Sequence, residues 1–117
     1  MRKDNVVYRL SKQFALRIVK LYSVLCNDKK EYVMSKQLYR SGTSIGANIA
    51  ESVYAQSEAD YISKLKIALK EASETKYWLE LLFESGFISE DEYNSLYNDV
   101  NIIVGTIVNV IKKIVEK

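Results

Sequence analysis

The stretch that decides the fold is RSGTSIGANIAE, residues 40–51, a run of small and polar residues inside a helical pattern. Gly42 and Gly46 lie four residues apart in it, and glycine in a helix interior costs about 1 kcal/mol relative to alanine. Glycines at this spacing remove the side chains that would hold two helix backbones apart. We therefore expect a close helix contact here, complemented by Ala68 and Ala72 of the next helix. A local bend is the alternative.

Amphipathic patterning around this stretch predicts four long helices. The chain has no proline and only four glycines, so few residues are available to break helices. The predicted ranges are about 6–27, 31–55, 58–84 and 89–116. Short polar turns separate them. This pattern is typical of one all-α domain over residues 1–117, an antiparallel up-down four-helix bundle.

Local signals mark the ends of the last two helices. Ser57 followed by Asp60, and Ser89 followed by Glu92, have the spacing of N-terminal capping boxes, and Gly86 is the expected left-handed cap between them. The third helix carries a core stripe of alternating 4-3 spacing: Tyr61, Leu65, Ala68, Ala72, Thr75, Leu79 and Leu82. The fourth carries a second stripe: Tyr93, Tyr97, Val100, Val104, Ile107, Ile111 and Ile114.

The fourth helix is also apolar outside its stripe. Nine of the residues from 102 to 115 are valine or isoleucine, which is more than a monomeric bundle is expected to bury. An oligomer interface is the economical interpretation. Its candidate residues are Ile103, Val108, Val110 and Val115.

Composition and the absence of certain residue types exclude several function classes. With no histidine in the chain, neither a Ser-His-acid triad nor the Glu-x-x-His ligands of di-iron bundles can be built, so we expect no enzyme, cofactor or metal site. The lone Cys26 cannot form an internal disulfide, which favours a reducing, cytoplasmic setting. The longest apolar stretch is too short to span a bilayer, and the first residues lack a secretory pattern.

Positive charge concentrates at the start of the chain. Residues 1–40 contain ten Lys or Arg against three Asp or Glu, whereas residues 41–117 contain seven against twelve. At about 100° per residue, one basic strip of helix 1 falls opposite the core stripe: Arg2, Arg9, Lys12, Arg17 and Lys20. It is either a solvated face or a footprint for RNA or DNA phosphates.

One further group of residues supports nucleic-acid binding, and another opposes it. Tyrosines beside cations would extend the basic surface with rings for base stacking, although tyrosines at helical spacing also serve as packing residues. These residues are Tyr32, Tyr39, Lys29, Lys30, Lys36 and Arg40. Against nucleic acid, the acidic residues of helix 3 would repel a phosphate chain passing nearby: Glu71, Glu74, Glu80 and Glu84.

A polar row runs along helix 2 within the stretch quoted above. Arg40, Ser44, Asn48 and Glu51 follow one another at spacings of four, four and three, so they share one side of the helix. One interpretation is a buried, hydrogen-bonded polar layer that fixes the register of the bundle. The other is a subunit contact or a binding surface.

Residues 40–51, with the following helix SEADYISKLKIALKEASETKYWLELLFE (residues 57–84), resemble the S23-like four-helix-bundle proteins encoded in intervening sequences of bacterial 23S rRNA genes. The resemblance marks as motif positions Arg40, Ser41, Ser44, Asn48 and Glu51. It implies a ring-like homopentamer, in a family without a settled biochemical role. A related bundle, the accessory protein of diversity-generating retroelements, works with a reverse transcriptase and nucleic acid.

Two hypotheses follow. The first is a non-enzymatic oligomer that binds RNA or DNA through the basic strip of helix 1 with little sequence specificity. The second is a protein-interaction scaffold, a homopentameric ring that makes no direct contact with nucleic acid and whose charge keeps it in solution. Many relatives have an arginine shortly after the motif, and its absence here, where Ser52, Val53, Tyr54 and Ala55 follow, puts an anion contact at that point in doubt.

Overall fold

A computed structural model describes residues 5–116, and these residues form four α-helices and no strand. The helices are α1 (Asn5–Asn27), α2 (Met34–Ser52), α3 (Glu58–Glu84) and α4 (Glu90–Val115). The predicted and observed ranges coincide for α3. They differ by one residue at one or both ends of α1 and α4, and α2 is shorter than predicted at both ends.

Each helix packs against two others. Within residues 5–116, α1 and α3 both contact α2 and α4, so α1 and α3 lie at diagonal corners of the bundle. Polar and aromatic contacts show which residues of neighbouring helices lie at the same level of the bundle. Across α2 and α3 they join Glu51 to Lys64 and Ser41 to Thr75, and across α3 and α4 they join Glu80 to Tyr97 and Phe83 to Tyr93.

The core lies where the four apolar faces meet. All seven stripe residues predicted for α3 are buried, because alternating 4-3 spacing keeps them on one side of a 3.6-residue helix. In α1 the fully buried side chains include Phe14, Ile18 and Leu25. Leu38, Ile45 and Ile49 fill the same role in α2. Burying a side chain of this size stabilises the fold by about 1.5–3 kcal/mol.

Helices α1 and α2 approach each other closely at the two glycines. A Cβ placed on Gly42 would lie 2.9 Å from Ile18 Cγ1, and one on Gly46 would lie 3.4 Å from the Ser11 backbone oxygen. The predicted close contact is therefore present. Its partner was wrongly predicted, because both glycines face α1, whereas Ala68 and Ala72 belong to α3.

The predicted caps of α3 and α4 are present. Ser57 Oγ accepts a hydrogen bond from the Asp60 N–H at 3.1 Å, and Ser89 Oγ accepts one from the Glu92 N–H at 3.1 Å. Gly86 has a φ of 84°, the left-handed conformation that ends α3. The bonds to Ser57 and Ser89 satisfy N–H groups that the first turn of each helix leaves without partners.

The start of α2 differs from the prediction because Glu31 caps this helix instead of belonging to it. Its carboxylate accepts hydrogen bonds from the N–H groups of Val33, Met34 and Ser35 at 3.0, 2.9 and 2.7 Å. Burial raises the pKa of Glu31, but these three donors together outweigh burial and lower it from its ordinary value. The side chain is therefore ionised at neutral pH and faces the positive end of the helix dipole.

The core stripe of α4 is displaced from its predicted position. The buried residues are Leu96, Val100, Ile103 and Ile107, of which only Val100 and Ile107 were predicted. Tyr93 and the other predicted residues lie at the flank, partly buried. Ile103, predicted to lie in an oligomer interface, is 1% exposed and belongs to the core of its own subunit. An apolar helix has several stripes of similar hydrophobicity, so periodicity alone does not show which stripe faces the core.

Replacing Gly42 and Gly105 by alanine should have opposite effects. Gly42→Ala inserts a Cβ against the buried, β-branched Ile18, so we expect unfolding to become easier by about 1–3 kcal/mol. A Cβ on Gly105 meets nothing within 4 Å, and Gly105→Ala should gain about 0.5–1 kcal/mol from helix propensity. Urea denaturation of both variants gives the comparison. Stabilisation by Gly42→Ala would contradict the close contact.

The cap at Glu31 predicts a pH-dependent stability. Glu31→Gln should lower the free energy of unfolding at pH 7 by about 1–2 kcal/mol, because it removes a charged acceptor of three hydrogen bonds. The folded pKa lies below the unfolded value of about 4.3, so this contribution is complete above the unfolded pKa and is lost as the pH falls through the folded pKa.

Urea denaturation of the wild type and E31Q at pH values from 7 down to 4 measures this difference. The difference in the free energy of unfolding between the wild type and E31Q should become smaller below about pH 5. Glu116→Gln is the control, since Glu116 is exposed and its replacement should change stability by less than about 0.5 kcal/mol. A difference between wild type and E31Q that stays constant across this range would show that the charge is irrelevant.

Candidate nucleic-acid interface

The outer face of α1 is basic and lacks acidic side chains. Helix α1 contains four Lys or Arg and no Asp or Glu. Arg9, Lys12 and Lys20 are exposed, and none has an acidic partner within the described part of the chain. Their positions follow from the helix repeat, which turns them away from the buried side chains. Arg2, the remaining outward position of the predicted strip, lies outside the described residues.

Arg17 differs from the other cations of this face. Its Nη1 lies 2.7 Å from Asp99 Oδ2 of α4, and both side chains are more than a third exposed. An ion pair in such a setting contributes at most about 1 kcal/mol because water screens it. Asp99 nevertheless neutralises much of the charge that Arg17 would offer to a phosphate. Arg9, Lys12 and Lys20 therefore remain as the free basic residues of α1.

Apolar side chains lie among these cations. Leu16 is 58% exposed and Val19 is 43% exposed, both on the outer side of α1. Lys12 Nζ lies 5.8 Å from the centre of the Tyr8 ring, within the range of a cation–π contact. The basic face of α1 is consequently a mixed surface, suited either to phosphates or to a protein with an acidic and apolar face.

The basic surface continues onto α2. Lys36 and Arg40 are exposed there, on either side of Tyr39. The Tyr39 ring pairs with Tyr22 of α1, with ring centres 4.7 Å apart and planes tilted by 35°. The sequence did not predict the pairing of Tyr22 with Tyr39, because the contact depends on the α1–α2 register, which no local pattern reveals. Tyr32 is also exposed, in the turn before α2.

The glutamates of α3 lie away from α1. Glu80 and Glu84 flank a cluster of aromatic rings between α3 and α4, in which Phe83 and Tyr93 stack at 4.7 Å. Burial raises the pKa of Tyr93, and the charges of the two glutamates add to this. Burial and the neighbouring Glu74 likewise raise the pKa of Glu71. Since α3 is diagonal to α1, these charges do not lie beside the basic face.

The polar row of α2 lies at the surface and is not a buried layer. Arg40 and Glu51 are exposed, and Ser44 and Asn48 are partly exposed. Their bonds are local: Ser44 Oγ donates to the Arg40 carbonyl at 2.6 Å, and Asn48 Nδ2 donates to the Ser44 carbonyl at 2.8 Å. The prediction of a register-fixing layer at these four positions is therefore wrong. The surface interpretation remains.

A buried polar contact is present one position away. Ser41 is 2% exposed, and Thr75 Oγ1 of α3 donates to its Oγ at 3.0 Å. Glu51 also joins α2 to α3, with Oε1 3.3 Å from Lys64 Nζ. Among the motif residues, Ser41 is thus the one that faces the core, where a hydroxyl needs a partner.

The remaining candidate interface residues of α4 divide between the core and the surface. Val110 packs against the core and Val108 is partly buried, whereas Val115 is 67% exposed. With Ile103 in the core, the bundle itself absorbs most of the apolar surface that the sequence suggested for a partner. Exposed apolar side chains occur on α1 as well as on α4.

Residues 5–116 contain no group of three or more His, Cys, Asp or Glu side chains placed to hold a metal ion. No helix in that range combines the length and hydrophobicity needed to cross a membrane.

The chain is similar to the proteins of one family. The model of that family, described as 23S rRNA-intervening sequence protein, matches residues 3–109. A crystal structure of a protein with unknown function from the S23 ribosomal protein family of Bacteroides thetaiotaomicron is 56% identical. The alignment covers 92% of this chain and 99% of that one, with a TM-score of 0.90. No curated protein matches.

Ser41 and Ser44 allow a test of which motif side chains support the fold. Ser41→Ala removes the buried hydroxyl that bonds to Thr75 Oγ1, while Thr75 keeps its bond to the Glu71 carbonyl, so we expect a loss of about 1 kcal/mol in the free energy of unfolding. Ser44→Ala alters a side chain at the surface, and its effect should stay within about 0.5 kcal/mol. Thermal or urea denaturation distinguishes them. Equal losses would contradict the burial of Ser41.

Proposed function

Because this chain belongs to the family of 23S rRNA-intervening sequence proteins, we propose that it is a non-enzymatic, oligomeric helical bundle that binds RNA or DNA. The observation that carries the proposal is the outer face of α1, which has exposed Arg9, Lys12 and Lys20 and no acidic residue. Such a face attracts phosphates without reading bases, since each contact releases bound counterions. Little sequence specificity is expected.

The distribution of charge supports this proposal. Helix α3 carries six Asp or Glu against four Lys or Arg, and it lies diagonally across the bundle from α1. A phosphate chain on α1 would therefore pass the basic flank of α2 and avoid the glutamates. Segregation of this kind produces a field that steers an anionic partner to one side of the molecule.

We infer an up-down order for the helices. Between α2 and α3, and again between α3 and α4, contacting residues have numbers that rise on one helix as they fall on the other. The turns between helices are only five or six residues long, which favours antiparallel neighbours. This order supports the placement of α1 opposite α3.

The oligomer is proposed as a ring of five, by resemblance to the family. Exposed apolar side chains support association, and they include Ile102 and Val115 on α4. A ring would repeat the basic face and add avidity for a long nucleic acid. A cytoplasmic location and a reverse transcriptase as partner protein belong to the same proposal, the latter by analogy with the accessory protein of diversity-generating retroelements.

The scaffold is the second candidate, and one observation favours it. Leu16 and Val19 are exposed in the middle of the basic face. Apolar side chains in that position suit a protein partner better than a phosphate chain. In this alternative the ring itself is the functional surface, and the cations keep it in solution.

Charge reversal on α1 distinguishes the two candidates. We expect the triple variant R9E/K12E/K20E to lose binding of a fluorescently labelled structured RNA in an anisotropy titration. Arg17 is left unchanged, since replacing it would break the contact with Asp99. For the wild type, three phosphate contacts predict about a 20- to 40-fold loss of affinity between 50 and 200 mM salt.

The matched control is K66E/K70E/K112E, which makes the same change in net charge at exposed positions of α3 and α4. It should retain most of the binding. Equal losses in the two triple variants would mean that only net charge matters, and unchanged binding by R9E/K12E/K20E would remove α1 from the interface. A wild type that sediments as an oligomer and binds no RNA would establish the scaffold instead.

A further inference from the structure

A shallow groove on the outer side of α2 combines an aromatic ring with two free cations. We call it the Tyr39 groove; its lining residues are Lys36, Tyr39, Arg40, Thr43 and Ser44. Its volume is about 330 Å³, at the lower end of the range for ligand pockets, about 300–1,000 Å³. All five residues come from two turns of one helix, so the groove is formed by a rigid element.

The ring of Tyr39 offers a fixed and accessible face. It is 39% exposed, and the Tyr22 ring supports its other side at 4.7 Å. A side chain held in this way loses little conformational entropy when a ligand stacks on it. A phenol is neutral at pH 7, and the hydrogen bond with Cys26 raises the pKa of Tyr22 further, so the supporting ring does not repel an anion.

Lys36 and Arg40 supply the positive charge. They lie three residues before and one residue after Tyr39, both exposed, and neither has an acidic partner in the part of the chain that the structure describes. An unpaired guanidinium beside a lysine is a strong donor set for phosphate oxygens. Within α2 itself the only carboxylate is that of Glu51, which lies three helical turns from Arg40 and contacts Lys64 of α3.

The hydroxyls of Thr43 and Ser44 give the groove two hydrogen-bond acceptors. Thr43 Oγ1 donates to the Tyr39 carbonyl at 2.8 Å, and Ser44 Oγ donates to the Arg40 carbonyl at 2.6 Å. Since their hydrogens are occupied, their lone pairs face outward and can accept from an amino or hydroxyl group. The groove therefore presents a ring face, two cationic donors and two neutral acceptors.

We propose that the Tyr39 groove binds an unpaired nucleotide, with the base stacked on Tyr39 and its phosphate held by Lys36 and Arg40. This inference rests on the proposed nucleic-acid binding and specifies its form. In a duplex, bases stack on each other and expose no face to a side chain, so a ring of this kind selects single strands, loops and bulges. The protein then prefers unpaired RNA or DNA, although α1 alone would accept either form.

The test compares a labelled 12-nucleotide single strand with a blunt-ended duplex of the same length, which has no unpaired base, by anisotropy at one salt concentration. We expect the wild type to favour the single strand. Tyr39→Leu should weaken single-strand binding about tenfold or more, since base–ring stacking is worth about 1–3 kcal/mol, and should leave duplex binding almost unchanged. Tyr39→Phe keeps the ring and should retain the preference.

Tyr77→Leu is the matched control, because Tyr77 is 54% exposed on α3, away from the basic face. It should bind like the wild type. Circular dichroism melts of the variants establish that each is folded, and Tyr39→Phe tests the ring in a side chain of nearly the same shape. A cationic pair variant, K36E/R40E, should lose single-strand binding more strongly than K66E/K70E.

The outcomes separate this inference from the broader proposal. If the wild type binds both nucleic acids equally, or if Tyr39→Leu binds the single strand as the wild type does, the Tyr39 groove is overturned while nucleic-acid binding through α1 stands. If the wild type binds neither, both proposals fail. A preference for the single strand that Tyr39→Leu abolishes and Tyr39→Phe retains would establish the groove.

Discussion

The close approach of α1 and α2 is the constraint on which the rest of the molecule depends. Gly42 leaves no room for even one methyl group beside Ile18, a fully buried and β-branched side chain that cannot easily move. Interiors packed at crystal-like density transmit such constraints along a helix. The contact therefore sets how α1 is rotated and how far it is shifted against α2.

This register decides which side chains meet at the surface. The pairing of Tyr22 with Tyr39 joins α1 to α2, one helical turn from the Ile18–Gly42 contact on each helix. The same rotation turns Arg9, Lys12 and Lys20 outward together, beside the cations of α2. The basic surface of the protein is consequently a product of core packing as well as of composition. A helix α1 rotated by 100° would bury part of that charge.

Much of the architecture can be predicted from sequence, and the misses have physical causes. Ser57, Ser89 and Gly86 act through bonds or backbone angles within a few residues, so their local patterns suffice. The stripe of α3 keeps an unbroken 4-3 spacing over seven residues, and these are the residues that are buried. Glu31 resembles an ordinary first-turn residue, and α4 offers several apolar stripes. Lys36, Tyr39 and Arg40 of the candidate groove were named from the sequence as a stacking surface. The support of Tyr39 by Tyr22 needed the fold, since the two tyrosines come from different helices.

Residues 40–51 contact α1 and α3 and also line the outer groove, so they have no single role. Gly42 and Gly46 face α1, Ser41 bonds to Thr75 of α3, and Arg40 and Ser44 line the outer groove. A substitution in this stretch alters binding either directly or by moving α2 against its neighbours. Because neighbouring residues on one helix turn point in different directions, stability and binding must be measured on the same variant before a motif residue is assigned to either.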